Sequence, residues 1–585
     1  MAETKSIKYE PLYISLFRMI YQHPIISAAF LCFFCITVTT NSPDGKLTYL
    51  SLVMPSAAAI LFGIFAGLYT MREKPRDTKN KFLSFGIMLF GVIAAAVFCL
   101  LTYFKGSYAF HLLNVGMGVI SAVFIYLGVT NKLTVRNLIL LIMAAGFLVR
   151  LCYIISIPIT FMQHDVRTIG SGKGHIGYIE YFIQNKKLPD MDVRTVYQFY
   201  HPPLHHILAA IWVSFQTFMK VEYNSAFENV QLLTLFYSTL CMILSYKIFR
   251  QLNLEKISLV VATAVIAFCP TFYIMAGAVN NDILSITFML GAVLNTIYWY
   301  KHRKMKHILF IALCIGLGMS TKLSAWMVAP AVAFIFIYAF IKNMLDKENR
   351  DFKKYLIQFS SFLVVCVPLG LWWSVRNYLS HGVPFGYILE LSKDSEQYIG
   401  DIPVIQRLFD FSLYQFRDVA EQSPVFGNEY NDFNPLISLF KTSMFDEGIT
   451  IRNFENIGGL NTMLFWSAVA IGLIGFIAMI SAFFRKKTTL DIPMKLFMAI
   501  LYAVFLVSYY IFCIKFAHMC TQNIRYAVPL IVIGAYFTGW AVQNLMHDNA
   551  EKWQRLCGSV ICGFITLYAL CGIAVYDIVI FDLTR

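Results

Sequence analysis

Residues 137–167 read NLILLIMAAGFLVRLCYIISIPITFMQHDVR. Two apolar runs flank one charge, Arg150, and the stretch closes on Gln163, His164, Asp165, Val166 and Arg167. An α-helix needs about 20 apolar residues to cross the hydrocarbon core. The stretch therefore predicts a membrane span that delivers an acid and two bases to the water on one side. The same texture extends outward: of 585 residues, 58% are apolar, 16% aromatic and 14% charged. That charged fraction is far below the roughly 25% of soluble domains, which excludes a water-soluble multidomain enzyme, a disordered chain and a fibrous protein. Lys and Arg number 47 against 33 Asp and Glu, a net charge of +14. These bases sit in short clusters between apolar stretches, the pattern of membrane topology, so no nucleic-acid partner is expected.

Fifteen spans are expected, over 24–40, 49–71, 82–104, 108–130, 137–162, 228–249, 257–275, 283–300, 307–321, 323–341, 354–375, 462–484, 494–514, 526–543 and 556–577. The first is read as a retained anchor, because no small-residue cleavage site follows Thr40. With the N-terminus in the cytoplasm, every dense Lys/Arg connection falls on one side, as the positive-inside rule requires, and the C-terminus lies outside. This parity makes 203–220 an interfacial helix, since counting it as a span would put Lys301, Arg303, Lys304 and Lys306 outside. Two large outer regions result, 163–227 and 376–461. The second carries 12 acids and 6 bases. Of the 13 cysteines, all but Cys520 fall in apolar stretches and read as small buried hydrophobes, which excludes a disulfide scaffold. Cys32 and Cys35 have a C-x-x-C spacing without a second pair to complete a zinc site.

Arg150 is the only charge deep in a span, whereas an ion-coupled transporter usually shows several ionisable groups at mid-membrane. Arg150 reads either as a structural residue or as part of a substrate site. Polar chemistry gathers outside instead: Asp165 with His164 and Arg167, then Lys173, His175, Tyr200, His201, His205 and His206. A carboxylate at an apolar boundary can act as a general base, and nearby cations can hold a phosphate. A solvated loop with a capping Asp is the alternative. His175, His205 and His206 read as surface or packing residues, and no tightly held metal is expected.

Several of these residues, in order and on one side, resemble the GT-C glycosyltransferases, in particular the protein O-mannosyltransferase and lipid A aminoarabinose transferase branch of family 39 type. Asp165 matches the acid of the first outer loop. His201, Pro202, Pro203 and Leu204 match its Lys-Pro-Pro-Leu. Asn281 and Asp282 resemble its second-loop acid, Thr321 and Lys322 its Thr-Lys between short spans, and Arg525, Tyr526 and Pro529 its Arg-Tyr opening a late helix. The match covers roughly 137–543. It departs from the pattern at Val166, where many members carry a second acid, and at His201, which replaces a Lys and would make phosphate binding depend on pH.

The resemblance implies an all-α polytopic membrane protein. Its GT-C-like bundle of about 11 spans would occupy 137–585, preceded by a four-span accessory module over 1–136. It further implies a glycosyltransferase that moves a hexosyl or pentosyl group, with inversion, from a polyprenyl-phosphate sugar to an acceptor at the outer face. Asp165 would be the base and His201, Lys322, Arg525 and, more weakly, Arg376 would hold the donor phosphate. His164, Arg167, Tyr200, Asn281, Asp282 and Tyr526 are further site candidates. No cofactor is expected, although a weakly held divalent ion stays open, as some GT-C relatives use one. The expected partners are the lipid-linked sugar, membrane lipid and an acceptor that is protein, lipid or glycan. The expected location is a bacterial cytoplasmic membrane. An O-antigen-ligase-like or polymerase-like enzyme is the alternative, and a transporter or flippase a further one.

Overall fold

The computed structural model describes residues 108–583 except 349, 396, 413–415, 417–432, 446–456, 486–489 and 548. The expected spans over 24–40, 49–71 and 82–104, and the Cys32/Cys35 pair, lie outside the described residues. The described chain is all-α, with one isolated bridge, Tyr398 to His518. The described residues divide into two compact units, one of 108–112 with 213–232 and one of 113–212 with 233–583. In the first unit the Gln216 amide bridges the Ala226 carbonyl at 3.2 Å and Asn229 Nδ2 at 2.7 Å.

In chain order the described helices are α1 (Tyr108–Val129), α2 (Val135–Ser156), α3 (Gly174–Asn185), α4 (Leu204–Phe218), α5 (Tyr223–Glu228), α6 (Val230–Gln251), α7 (Lys256–Ala267), α8 (Pro270–Gly277), α9 (Asp282–His302), α10 (Met305–Thr321), α11 (Ala329–Leu345) and α12 (Phe352–His381). After the second outer region, with its short helices α13 (Val404–Phe409) and α14 (Pro435–Met444), come α15 (Gly458–Phe484), α16 (Ile492–Lys515), α17 (Pro529–Leu545) and α18 (Lys552–Leu583). Some of these straddle the unit boundary. Among the described residues nine helical segments are long and apolar enough to cross a bilayer, ten with the bent pair α7–α8. The shorter α10 and α17 fill the two remaining positions of the expected order. Helix α4, the interfacial candidate, has only 15 residues.

Three expected boundaries shift, each at a proline. The span expected over 137–162 ends at Ser156, because Pro158 forces Ile157 out of the helical region to φ −107° and ψ 119°. Asp165 therefore stands beyond a stretch of turns and not directly at a helix end. The span expected over 257–275 is broken into α7 and α8, bent by 42° before Pro270. Arg525 and Tyr526 lie on a 3₁₀ turn, Ile524–Tyr526, and α17 starts only at Pro529.

The α7–α8 break explains Arg150. Pro270 has no N–H for the Ile266 carbonyl four residues earlier, and that carbonyl is buried in the protein. The fully buried Arg150 supplies the missing donors: Nη2 to Ile266 O at 3.0 Å, Nη1 to Ala267 O and Gly146 O at 2.7 Å each, and Nε to Ser238 Oγ at 3.1 Å. Its guanidinium rests over Tyr273, 5.1 Å from the ring centre. Gly146 lets α2 come this close to α7, since a Cβ there would stand 2.6 Å from Ala267 O. Of the two readings open for Arg150, the structural one holds; it lines no part of the cavity described below. Arg150→Met should strand those carbonyls, at a cost of about 1–3 kcal/mol for each unsatisfied group. A fall of many degrees in the detergent unfolding midpoint is the expected result, and an unchanged midpoint would count against this account.

Candidate functional site

A cavity of about 360 Å³ opens where α9, α10, α12 and α16 meet the loops around Asp165, Tyr200 and Val383. Its lining draws Asp165, Tyr200, His201, Asn281, Asp282, Lys322, Arg525 and Tyr526 from segments hundreds of residues apart.

Asp165 is placed by backbone. Its carbonyl and that of Val166 accept the first N–H groups of α3, from His175 at 3.0 Å and Ile176 at 3.2 Å, so the loop caps the helix. Asp165 takes φ +58°, a left-handed conformation that Asp and Asn tolerate better than most residues. Gly174, at φ +71°, is required here: a Cβ would lie 2.6 Å from the Asp165 carbonyl oxygen and 2.5 Å from that of Val166. The Tyr197 hydroxyl donates to the Asp165 carboxylate. Burial pushes that carboxyl upward, but Arg525, the Tyr197 hydrogen bond and the nearby His175 and His164 together hold it below the usual range. Asp165 is thus an ionised carboxylate at neutral pH.

Asp282 opens α9 and is buried, with Lys322, at the end of α10, as its ion-pair partner. Two side chains fix this pair. Asn281 Nδ2 donates to the Thr321 carbonyl at 2.6 Å, tying the start of α9 to the end of α10. His205 Nε2 donates to the Val279 carbonyl at 3.0 Å, tying the same turn to α4. Lys322 Nζ and the Arg525 guanidinium each lie 4.9 Å from the centre of the Tyr526 ring, a cation–π arrangement, and Arg525 Nη2 donates to the Tyr526 hydroxyl at 2.9 Å. The Arg525 backbone N–H bonds Asn523 Oδ1 at 2.9 Å, and the Ile524 N–H bonds Thr442 Oγ1 at 2.9 Å, which anchors the turn to α14.

The segment 199–203 is clamped from both sides, by Trp373 Nε1 to the Tyr200 carbonyl at 3.1 Å and by the Tyr178 hydroxyl to the His201 carbonyl at 3.4 Å. Tyr178, Val193, Phe199, Trp373 and Val383 form the apolar cluster beneath it. Four histidines gather here. His175 Nδ1 and His206 Nε2 stand 2.9 Å apart, with their rings stacked at 5.2 Å, and His175 also stacks on His201 at 5.7 Å. An imidazole pair can share a hydrogen bond only if one ring is neutral and accepts.

Burial pulls His175 and His205 down to about 4, and His201 and His206 well below the usual 6.5. His201 is therefore an uncharged ring at neutral pH, because desolvation, with Lys322 nearby, outweighs the acids Asp282 and Asp165. His175, His205 and His206 are buried packing residues, not surface ones. Because unfolded imidazoles titrate near 6.5, the unfolded chain binds more protons than the folded one between about pH 6.5 and 4. Stability from these neutral rings is complete above about pH 6.5 and lost as pH falls towards 4. The unfolding midpoint in detergent should drop across that window, and less steeply in His206→Gln; equal slopes would remove the argument.

Three expected site residues are not brought in. Arg376 stacks on Trp373 at 5.1 Å and donates to the Pro189 carbonyl and to Asn377 Oδ1, so it braces the outer loop and does not line the cavity. Arg167 is exposed and lies over Tyr197 at 5.3 Å, and His164 is buried beside the cavity lining. Conversely, sequence reasoning passed over Tyr197, whose hydroxyl orients Asp165, and over Trp373, Asn377 and Tyr387 in the lining. The aromatic density of 197–200 was the one available signal.

Residues 200–372 match the family model for dolichyl-phosphate-mannose-protein mannosyltransferases. The match covers less than half of the chain and makes this segment similar to that family. The matched segment carries Tyr200, His201, Asn281, Asp282 and Lys322; Asp165 and Arg525 lie outside it. Among proteins of curated function none matches the sequence. Solved structures resemble it distantly. The Saccharomyces cerevisiae Pmt1–Pmt2 protein O-mannosyltransferase bound to its sugar donor gives a TM-score of 0.47 at 11% identity, over 77% of this chain and 90% of that one. ArnT from Cupriavidus metallidurans bound to undecaprenyl phosphate gives 0.42 at 12%, over 76% and 77%. The Archaeoglobus fulgidus oligosaccharyltransferase tethered to an acceptor peptide gives 0.42 at 14%, over 75% of this chain. The chain spans 55% of that last protein's length.

Proposed function

We propose that this chain is a GT-C membrane glycosyltransferase that moves a hexosyl or pentosyl group from a polyprenyl monophosphate to an acceptor hydroxyl at the outer membrane face, with inversion at the anomeric carbon. The supporting observation is that Asp165, Asp282, Lys322 and Arg525 line one cavity. A bare hydroxyl is a poor nucleophile, and the ionised Asp165 carboxylate can take its proton as the bond to the anomeric carbon forms. The sugar–phosphate bond breaks on the opposite face, and the leaving phosphate gains about one negative charge. Lys322 and Arg525 stand where that charge can be met, and the half-buried His201 ring supplies polarity without charge. The Pmt1–Pmt2 and ArnT structures hold a sugar donor and undecaprenyl phosphate, which is the class of lipid proposed here. The charge pattern favours an N-terminus inside and a C-terminus outside, and a bacterial cytoplasmic membrane is the proposed setting.

The test is direct. Purified protein should release polyprenyl monophosphate and form a new glycosidic bond of opposite anomeric configuration when given labelled polyprenyl-phosphate sugars and a mixed acceptor pool. Movement of label across sealed vesicles with no new bond would replace this reading with a transporter.

A further inference from the structure

A second concave site lies at the far end of the same helices. Asp282 opens α9 at the cavity and His302 closes it, and at 1.5 Å per residue its 21 residues span about 31 Å, the thickness of the hydrocarbon core. The α9–α10 turn and the start of α12 there enclose a cleft of about 610 Å³. Its walls carry His302, Arg303, Lys304, Lys353 and Lys354 against a single acid, Asp351, which is spent capping the Lys354 N–H at 3.0 Å.

The cleft is a formed one. Gln358 Oε1 accepts from Trp299 Nε1 at 2.8 Å and its Nε2 donates to the Arg303 carbonyl at 3.0 Å, so α12 is locked to the turn. The Arg303 guanidinium is stacked 4.6 Å from the Trp299 ring centre and 4.8 Å from that of Tyr300. Lys304, Lys353 and Lys354 are exposed, and none is ion-paired among the described residues. Lys304 is also the N-cap residue of α10, and no side chain caps that helix end. Ile357 on α12 lines the cleft with its side chain half exposed, and Phe310, further along α10, is exposed as well. Clustered positive charge beside exposed apolar side chains further along the helices describes a lipid with an anionic head.

We infer that this cleft binds the phosphate head of an anionic phospholipid from the leaflet opposite the transfer cavity, with the acyl chains along α10 and α12. Each lysine near such a head contributes about fivefold in affinity, and three contribute about a hundredfold. The inference does not rest on the transferase reading.

The full chain, purified in a neutral detergent and titrated with phosphatidylglycerol or phosphatidylcholine, reports binding by native mass spectrometry. The expected result is a phosphatidylglycerol preference of about a hundredfold, lost in K304Q/K353Q/K354Q and reduced about fivefold by K304Q alone. The charge-matched control K247Q/K256Q/K552Q should keep it. No preference in the unaltered protein, or equal loss in the control, overturns the site. Displacement of phosphatidylglycerol by millimolar inorganic phosphate would overturn the lipid as its occupant.

Discussion

Asp165→Asn is expected to leave the protein folded and able to bind a polyprenyl-phosphate lipid, while lowering sugar transfer by about 10²- to 10⁴-fold, the usual contribution of a general base. Asn is the informative replacement for a conformational reason. The residue sits at φ +58°, which Asn tolerates, and the carboxamide oxygen can still accept from the Tyr197 hydroxyl. Only the charge and the proton acceptor are lost. Ala would mix that loss with backbone strain. Because Arg525 and Tyr197 outweigh burial and hold the Asp165 carboxyl below the usual range, it stays ionised from pH 8 down past pH 5. Its protonation should cause no acid limb in that interval. Transfer at near-normal rates by the Asn variant, with donor consumption measured directly, would reject Asp165 as the base.

Lys322→Met is expected to reduce transfer by about a thousandfold. A unit charge about 4 Å from the departing phosphate, at an effective dielectric of about 20, is worth roughly 4 kcal/mol, which is that factor in rate. The substitution also leaves the buried Asp282 without its partner, and breaking a buried ion pair from one side costs about 3–5 kcal/mol of stability. The two effects separate in the double variant Lys322→Met/Asp282→Asn. Removing both charges should recover most of the unfolding midpoint while transfer stays low. If the double variant recovers transfer as well, Lys322 acts only by supporting the fold, and Arg525 is left to meet the phosphate alone.

The pairing also defines what Asp282 does before donor arrives. Two acids, Asp165 and Asp282, balance two bases, Lys322 and Arg525, so the cavity carries no net charge from these four groups. A bound phosphate monoester disturbs that balance, and it competes with Asp282 for Lys322. Donor affinity therefore depends on how tightly Asp282 holds the lysine, which Asn281 and His205 set through their bonds to the Thr321 and Val279 carbonyls.

Hydrophobic run length determined the membrane class and the span order in the described chain, because bilayer thickness acts on sequence directly. The same reading named Asp165, Asp282, Lys322 and Arg525 without being able to join them. Tertiary structure decided the rest. Prolines at 158 and 270 ended helices earlier than apolar content suggested, and Arg150 became the donor set that repairs the second break, a role visible only once α2 lies against α7. Burial, which no local pattern encodes, discharged His201. Packing also turned Arg376 away to the Pro189 carbonyl and brought in Tyr197. A charge's role is set by what surrounds it, and those surroundings come from parts of the chain hundreds of residues away.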